Sequence, residues 1–299
     1  MGQKCEETEI GPVFARFFSS SVIRELAHYG HSEIARRLAV QCGLIDRFGS
    51  DMKVRDFYDE IFNLMMKNHR YEYIYKNAIA EKILLGRHNL KTAFMHTEFR
   101  ADNCVADVVV LNGTSHVYEI KTEMDSFDRL DNQLSAYKKI FDKIVIVTTE
   151  KLYSIVDLVI PEEIGIMVLA EGKYAFRKNP HREAVSNKAN VDPLVIFSSL
   201  QRREYLTIIN DHFGEYLNHL PNTQIYKVAK SFFKKLSSEE AHDYMVEALQ
   251  KRRDTMKVVD FISNMPKSLK AASLSVKLTR EERFRFLNLL DENISRAFH

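Results

Sequence analysis

Two carboxylates and an ammonium stand on short apolar runs between Val105 and Lys121. Val105–Leu111 is apolar except for Asp107, Asn112-Gly113 is a strong turn signal, and Val117–Lys121 resumes a strand pattern that carries Glu119 and Lys121. A carboxylate inside an apolar strand is costly unless it is paired or bound to a cation. Side chains alternate along a strand, so Glu119 and Lys121 share one face and Ile120 takes the other. The chemistry that fits is a hard divalent ion, Mg²⁺ or Mn²⁺, with Asp107 and Glu119 as ligands and the backbone carbonyl of Ile120 as a further one. Such an ion polarises a phosphodiester and acidifies a bound water. Lys121 would then reach the phosphate or the attacking water.

These groups need a sheet and a helix to hold them. Phe127, Leu130, Leu134, Tyr137 and Phe141 fall at helical spacing and form one apolar stripe, with Gln133 and Tyr137 one turn apart. Lys143–Thr149 reads as a buried strand, Thr92–Phe99 as the first strand, and Pro161–Leu169 and Lys173–Arg177 as closing strands. Tyr71–Leu85 reads as a helix ended by Gly86. The order is strand, strand, helix, strand.

The Asp107 and Glu119-Ile120-Lys121 pattern resembles the PD-(D/E)XK nuclease superfamily, whose fold is restriction-endonuclease-like. Ala106 replaces the proline that often precedes the acid. Gln133 and Tyr137 resemble the Gln-x-x-x-Tyr helix of RecB-like members. The run from Glu119 to Thr149 is similar to a bacterial and phage-encoded branch with an EIK, RL-x₂-Q-x₃-Y pattern, and the likeness spans roughly residues 70 to 170. The resemblance implies an α/β fold: a mixed sheet flanked by helices, with a helical N-terminal extension and a helical C-terminal domain. It implies catalytic roles for Asp107, Glu119, Lys121, Gln133 and Tyr137, the last two orienting the lysine or the nucleic-acid backbone. Asp125 and Arg129 would lie near the phosphate path. The superfamily usually adds an acid from the helix before the first strand; Glu72, Glu81 and Glu98 all remain open for that place.

The implied activity is Mg²⁺-dependent hydrolysis of phosphodiester bonds, with DNA as the expected substrate, and by analogy a place in phage defence, repair or recombination. Many enzymes of this type cut duplex DNA as dimers, so a homodimer is one expectation. Two other readings stand beside it: a protein of the same fold that binds nucleic acid without cutting, and a non-enzymatic helical DNA-binding regulator or scaffold.

The 299 residues are 45% hydrophobic and 28% charged, enough for a substantial core. A net charge of +2 gives no general basic field, so any nucleic-acid surface is local. Arg100, Arg129, Lys138 and Lys139 are candidates for it. Lys227, Lys230 and Lys234 share a second helical face, with Tyr226 and Phe233 nearby and Arg202, Arg203 and Lys235 in the same block. The first expectation for that face is simple solvation; if it binds DNA, added salt must weaken it steeply. Ser32–Leu38 has a faint helix-turn-helix character, common to helical hairpins.

Cys5, Cys42 and Cys104 are widely spaced and odd in number, as expected of reduced thiols in a cytoplasmic protein. Gly2 and Cys5 superficially offer acylation sites, but Glu6 stands where an acylation signal needs Ser or Thr. No window approaches a membrane-spanning length of apolar residues. The chain divides by pattern into a helical extension (1–67), an α/β core (68–178), a polar linker (179–192) and a helical C-terminal domain (193–299). Ser237–Glu240 and Thr279–Glu282 are capping boxes.

Overall fold

A computed structural model describes residues 10–67, 70–87, 93–252 and 255–298. The expectations that fall on Gly2, Cys5 and Thr92 lie outside the described residues. The chain forms two compact units, one from 1–91, 172–175 and 255–299, the other from 92–171 and 176–254. The units therefore interleave along the chain, unlike the consecutive segments read from composition.

The first unit begins with helices α1 (Ile10–Phe17), α2 (Ser20–Tyr29), α3 (Glu33–Gln41), α4 (Leu44–Phe48) and α5 (Val54–Lys67). Ser19 separates α1 from α2 by capping α2, its side chain accepting from the Val22 N–H. The predicted Tyr71–Leu85 helix is α6 (Glu72–Ala78), a π-helical stretch (Ile79–Leu84) and the short α7 (Leu85–Arg87). Fully buried Asn77 anchors it: Nδ2 donates to Tyr174 Oη and the Lys267 carbonyl, both at 2.8 Å, and Oδ1 accepts from the Ala271 N–H at 2.9 Å.

The second unit holds a six-stranded sheet in the order β1 (Phe94–Ala101), β2 (Cys104–Leu111), β3 (Ser115–Lys121), β4 (Lys143–Thr148), β5 (Gly165–Leu169), β6 (Phe176–Arg182). The first three strands are antiparallel, β3–β4 and β4–β5 are parallel, and β5–β6 is antiparallel again. The protein is thus α/β with a mixed open sheet flanked by helices. Gly113, at φ 70°, makes the tight β2–β3 turn, where a side chain would be strained. The parallel pairs need crossovers, supplied by α8 (Leu130–Lys138) and α9 (Tyr153–Val159). Phe127 and Phe141 extend the predicted apolar stripe but lie outside α8; Phe141 is buried in the same core.

Helices α10 (Pro193–Ser199), α11 (Arg202–Phe213), α12 (Asn222–Phe233) and α13 (Ser238–Gln250) complete this unit. Their buried residues join one core with Leu130, Leu134 and Val117, so they pack on the sheet unit itself. The chain then returns to the first unit through α14 (Thr255–Ser263), α15 (Lys270–Ser275), α16 (Arg280–Leu289) and α17 (Ile294–Ala297). Both expected capping boxes are formed, at Ser237–Glu240 and Thr279–Glu282. No helix among the described residues is long and apolar enough to cross a membrane.

The stretch read as a linker is firmly held. Residues 179–182 continue β6, and Asp142 gathers residues 186–188. Its Oδ1 accepts from the Ser186 hydroxyl and from the Asn187 and Lys188 N–H groups at 3.1 Å, while Oδ2 accepts from Thr114 Oγ1 at 2.7 Å. Burial pushes the Asp142 carboxyl up, but the hydroxyls of Ser186 and Thr114 more than offset that and its net shift is down. The Asp142 N–H donates to Ser115 Oγ (3.0 Å), which leaves the serine proton for His242 Nε2 at 2.8 Å. His242 is fully buried, and burial lowers its pKa against the opposing pull of Asp243.

A histidine kept neutral by the fold contributes stability above its unfolded value near 6.5 and loses it as pH falls towards the lowered folded value. Urea midpoints of the full chain should therefore drop between about pH 7.5 and pH 5.5, and drop less in His242→Gln. Equal drops in both proteins would exclude His242 as the source.

Candidate functional site

The β2–β3 ladder runs from Leu111↔Ser115 to Val108↔Tyr118 and stops. Carrying that register one residue further sets Asp107 opposite Glu119, on one face of the sheet. Instead of a next ladder bond, Asp107 Oδ2 accepts the Ile120 N–H at 2.7 Å. A carboxylate here takes the place of a strand backbone, and the two strands part where the acids stand. In an antiparallel ladder a residue's N–H and C=O leave the strand on the same side. The Ile120 carbonyl is thereby set on the Asp107 side of β3.

Glu119 is 2% exposed and Lys121 6% exposed, so neither is solvated in the ordinary way. Glu119 Oε1 accepts from Lys121 Nζ at 3.0 Å and from Gln133 Nε2 at 2.5 Å; Oε2 accepts from Tyr137 Oη at 2.6 Å. Gln133 Oε1 also accepts from Lys121 Nζ at 3.0 Å. The Gln133 amide is thus oriented by charge, with nitrogen towards the carboxylate and oxygen towards the ammonium. Tyr137 Oη lies 3.1 Å from the Val105 carbonyl as well, but its one proton is drawn to Glu119. Burial raises the Tyr137 pKa far above the usual phenol range, and the charges of Glu119 and Asp107 raise it further. Tyr137 is a fixed hydroxyl donor at neutral pH.

The five predicted site residues therefore converge on one corner of the second unit: two acids and a lysine from β2 and β3, an amide and a phenol from α8. The remaining candidates are placed differently. Glu98 stands in β1 between the pairs Thr97↔Val108 and Phe99↔Ala106, so its position in the row is opposite Asp107. Its φ of 55° is unusual for a non-glycine residue within a strand. Glu72 and Glu81 belong to the first unit, where Glu72 pairs with Lys76 at 2.6 Å and Glu81 with Lys82 at 2.7 Å. Arg100 and Arg129 are exposed. Lys138 and Lys139 are taken up by surface ion pairs with Glu163 (2.7 Å) and Asp102 (3.0 Å). Asp125 closes the loop after β3 by accepting from the Thr122 N–H and hydroxyl, both at 2.8 Å.

Among the described residues, no group of three or more His, Cys, Asp or Glu side chains is arranged to hold a metal ion. The donors that do converge are two carboxylates and one carbonyl, all hard oxygens of the kind Mg²⁺ takes. A carboxylate oxygen carries two lone pairs; both on Glu119 Oε1 are used, whereas Oε2 has one accepted bond. This set suits a cation that keeps several of its own waters. No local sequence signal marks the Asp107–Ile120 bond or the Val105 carbonyl beside Tyr137, since both depend on where the ladder ends.

A family model described as Bacteriophage P4 protein cII matches residues 65–276. Protein cII of Enterobacteria phage P4 is 26% identical over 148 residues, 49% of this chain and 54% of that protein. The chain thus spans about half the length of this curated relative. Among solved structures, a protein of unknown function from Silicibacter pomeroyi, SPO1766, matches at 18% identity over 48% of this chain and 93% of its own. Its TM-score of 0.31 is too low to bear on the fold.

Removing one member of the buried pair should expose its worth. Lys121→Met leaves the Glu119 charge uncompensated and should cost about 3–5 kcal/mol in urea unfolding, most of it recovered in the double variant with Glu119→Gln. A single variant as stable as wild type would show that the pair is not buried in solution.

Proposed function

This chain belongs to the bacteriophage P4 protein cII family, and from the geometry of its sheet corner we propose that it is a Mg²⁺-dependent nuclease of the PD-(D/E)XK type, hydrolysing phosphodiester bonds in DNA. The observation that carries the proposal is the row formed by Asp107 and Glu119 where β2 and β3 separate, with Lys121 one alternation beyond and Gln133 and Tyr137 closing over it. Strand order and direction support the restriction-endonuclease-like reading: an antiparallel hairpin bears the acids, a helix follows, and the next strand returns parallel.

Asp107, Glu119 and the Ile120 carbonyl would hold the ion, which when bound supplies an acidified water and charge to offset that developing on the phosphate. Lys121 has three N–H donors, of which Glu119 and Gln133 use two, leaving one for a phosphate oxygen or the attacking water. Gln133 fixes the direction of that ammonium. Tyr137 holds Glu119 in place by donating its hydroxyl proton to Oε2. Asp107, beside the opened ladder, and Gln133 are the half-buried members of the group.

A second reading has its own observation. Glu119 already accepts three hydrogen bonds and is almost wholly enclosed, an arrangement that also suits a protein of this fold that binds nucleic acid without cutting it. The full chain incubated with plasmid and single-stranded DNA plus Mg²⁺ or Mn²⁺ separates the two. Cleavage reduced about 100-fold or more in Asp107→Asn and in Lys121→Ala, with circular dichroism unchanged, is the expected result. Binding without cleavage by wild type replaces the nuclease with the second reading; neither binding nor cleavage removes both.

A further inference from the structure

Helix α12 contains no acidic residue and buries Ile225, Ala229 and Phe233 against the core. Its opposite side exposes Tyr226, Lys227 and Lys230, and Lys234 follows one turn later just past the helix end. Phe233, expected near the lysines, is turned inward; Tyr226 is the aromatic residue that stays outside, 51% exposed. Several other surface lysines of this unit are matched: Lys138 with Glu163, Lys139 with Asp102, Lys188 with Asp243, Lys251 with Glu247. Among the described residues, no acidic side chain pairs with Lys227, Lys230 or Lys234. Glu204 on neighbouring α11 is held by Arg252, at 2.5 and 2.7 Å, and by its own capping box.

Unmatched positive charge on a fixed scaffold is a surface for a polyanion. From Lys227 to Lys234 the helix rises about 10 Å, long enough to meet more than one phosphate of a strand. Arg202 adds a cation at the start of the face, where its guanidinium donates to Asn222 Oδ1 at 2.9 Å. The Tyr226 ring is propped from below by Phe197, at 5.0 Å between centroids, and edge-on by Tyr205 at 6.5 Å. A half-exposed aromatic ring that cannot collapse beside lysines is a platform for an unpaired base. A duplex, with its bases already stacked, would use only the lysines.

We propose that the Tyr226–Lys227–Lys230–Lys234 face of α12 docks single-stranded nucleic acid, the lysines taking phosphates and Tyr226 stacking on a base. The inference does not require hydrolysis, and its test is run in EDTA so that its fate is separate from that of the Asp107 and Lys121 assays. Fluorescence anisotropy on the full chain would follow a labelled oligothymidylate of about 20 nucleotides across a salt series.

The triple variant Lys227→Glu, Lys230→Glu, Lys234→Glu should bind at least about tenfold more weakly, with the log–log salt slope shallower by about 2. Tyr226→Ala should weaken oligothymidylate about fivefold or more and leave the slope and the binding of heparin, a polyanion without bases, unchanged. Wild-type affinity and slope in the triple variant, with helix content intact, would overturn the proposal. So would wild-type protein that binds anionic vesicles but not the oligonucleotide. Equal losses of oligothymidylate and heparin in Tyr226→Ala would remove the stacking role.

Discussion

The ion pair between Glu119 and Lys121 is the constraint around which the sheet unit is arranged. Two charges almost without solvent are tolerable only if most of the remaining lone pairs and protons nearby find partners. That requirement explains why an amide and a phenol, rather than two more aliphatic side chains, occupy Gln133 and Tyr137 on the inner face of α8. It also explains why α8 must lie over the end of β3 and not elsewhere on the sheet. The crossover from β3 to β4 is thereby tied to the polar corner through Gln133 and Tyr137 and to the apolar core through Leu130 and Leu134.

Asp107 solves a different problem. A strand that leaves its neighbour exposes a backbone N–H, and an unpaired one is costly inside a protein. By accepting from Ile120, Asp107 lets β2 part from β3 without that penalty. β2 remains paired to β1 past this point, through Phe99↔Ala106 and Arg100↔Val105, so the opening is confined to one side of the strand. An acid has been put where the fold needs an acceptor, and the same acid stands across from Glu119.

The strands that carry the site were legible because their signals are local: apolar runs, an Asn-Gly turn, alternation at Glu119 and Lys121. The helix stripe pointed to α8 in the same way, although Phe127 and Phe141 kept the apolar spacing without being helical. What sequence did not show depends on distant partners. Ser115 and His242 are more than a hundred residues apart, and nothing at either position announces the other. Residues 179–192 read as a linker because they are polar, but Ser186 spends its hydroxyl on Asp142, Asn187 its amide on the Lys138 and Phe141 carbonyls, and Lys188 its ammonium on Asp243. Likewise Phe233 shares helical spacing with the lysines of α12, yet only packing decides which residue turns inward. The placement of the three further acids has a related cause: Glu98 is set in the row by strand register, whereas Glu72 and Glu81 belong to the other unit.

The four residues Gly172–Ala175 lie between β5 and β6 in the chain yet belong to the helical unit, where Tyr174 accepts from Asn77 and meets Phe62. The polypeptide consequently enters and leaves the sheet unit twice. No single scission can release either half intact, because the helical unit draws on the chain both before and after the sheet unit; even two cuts that free residues 92–254 would carry Tyr174 off with the sheet and strip Asn77 of one of its acceptors. Its connectivity describes one unit inserted within the other rather than two units joined end to end.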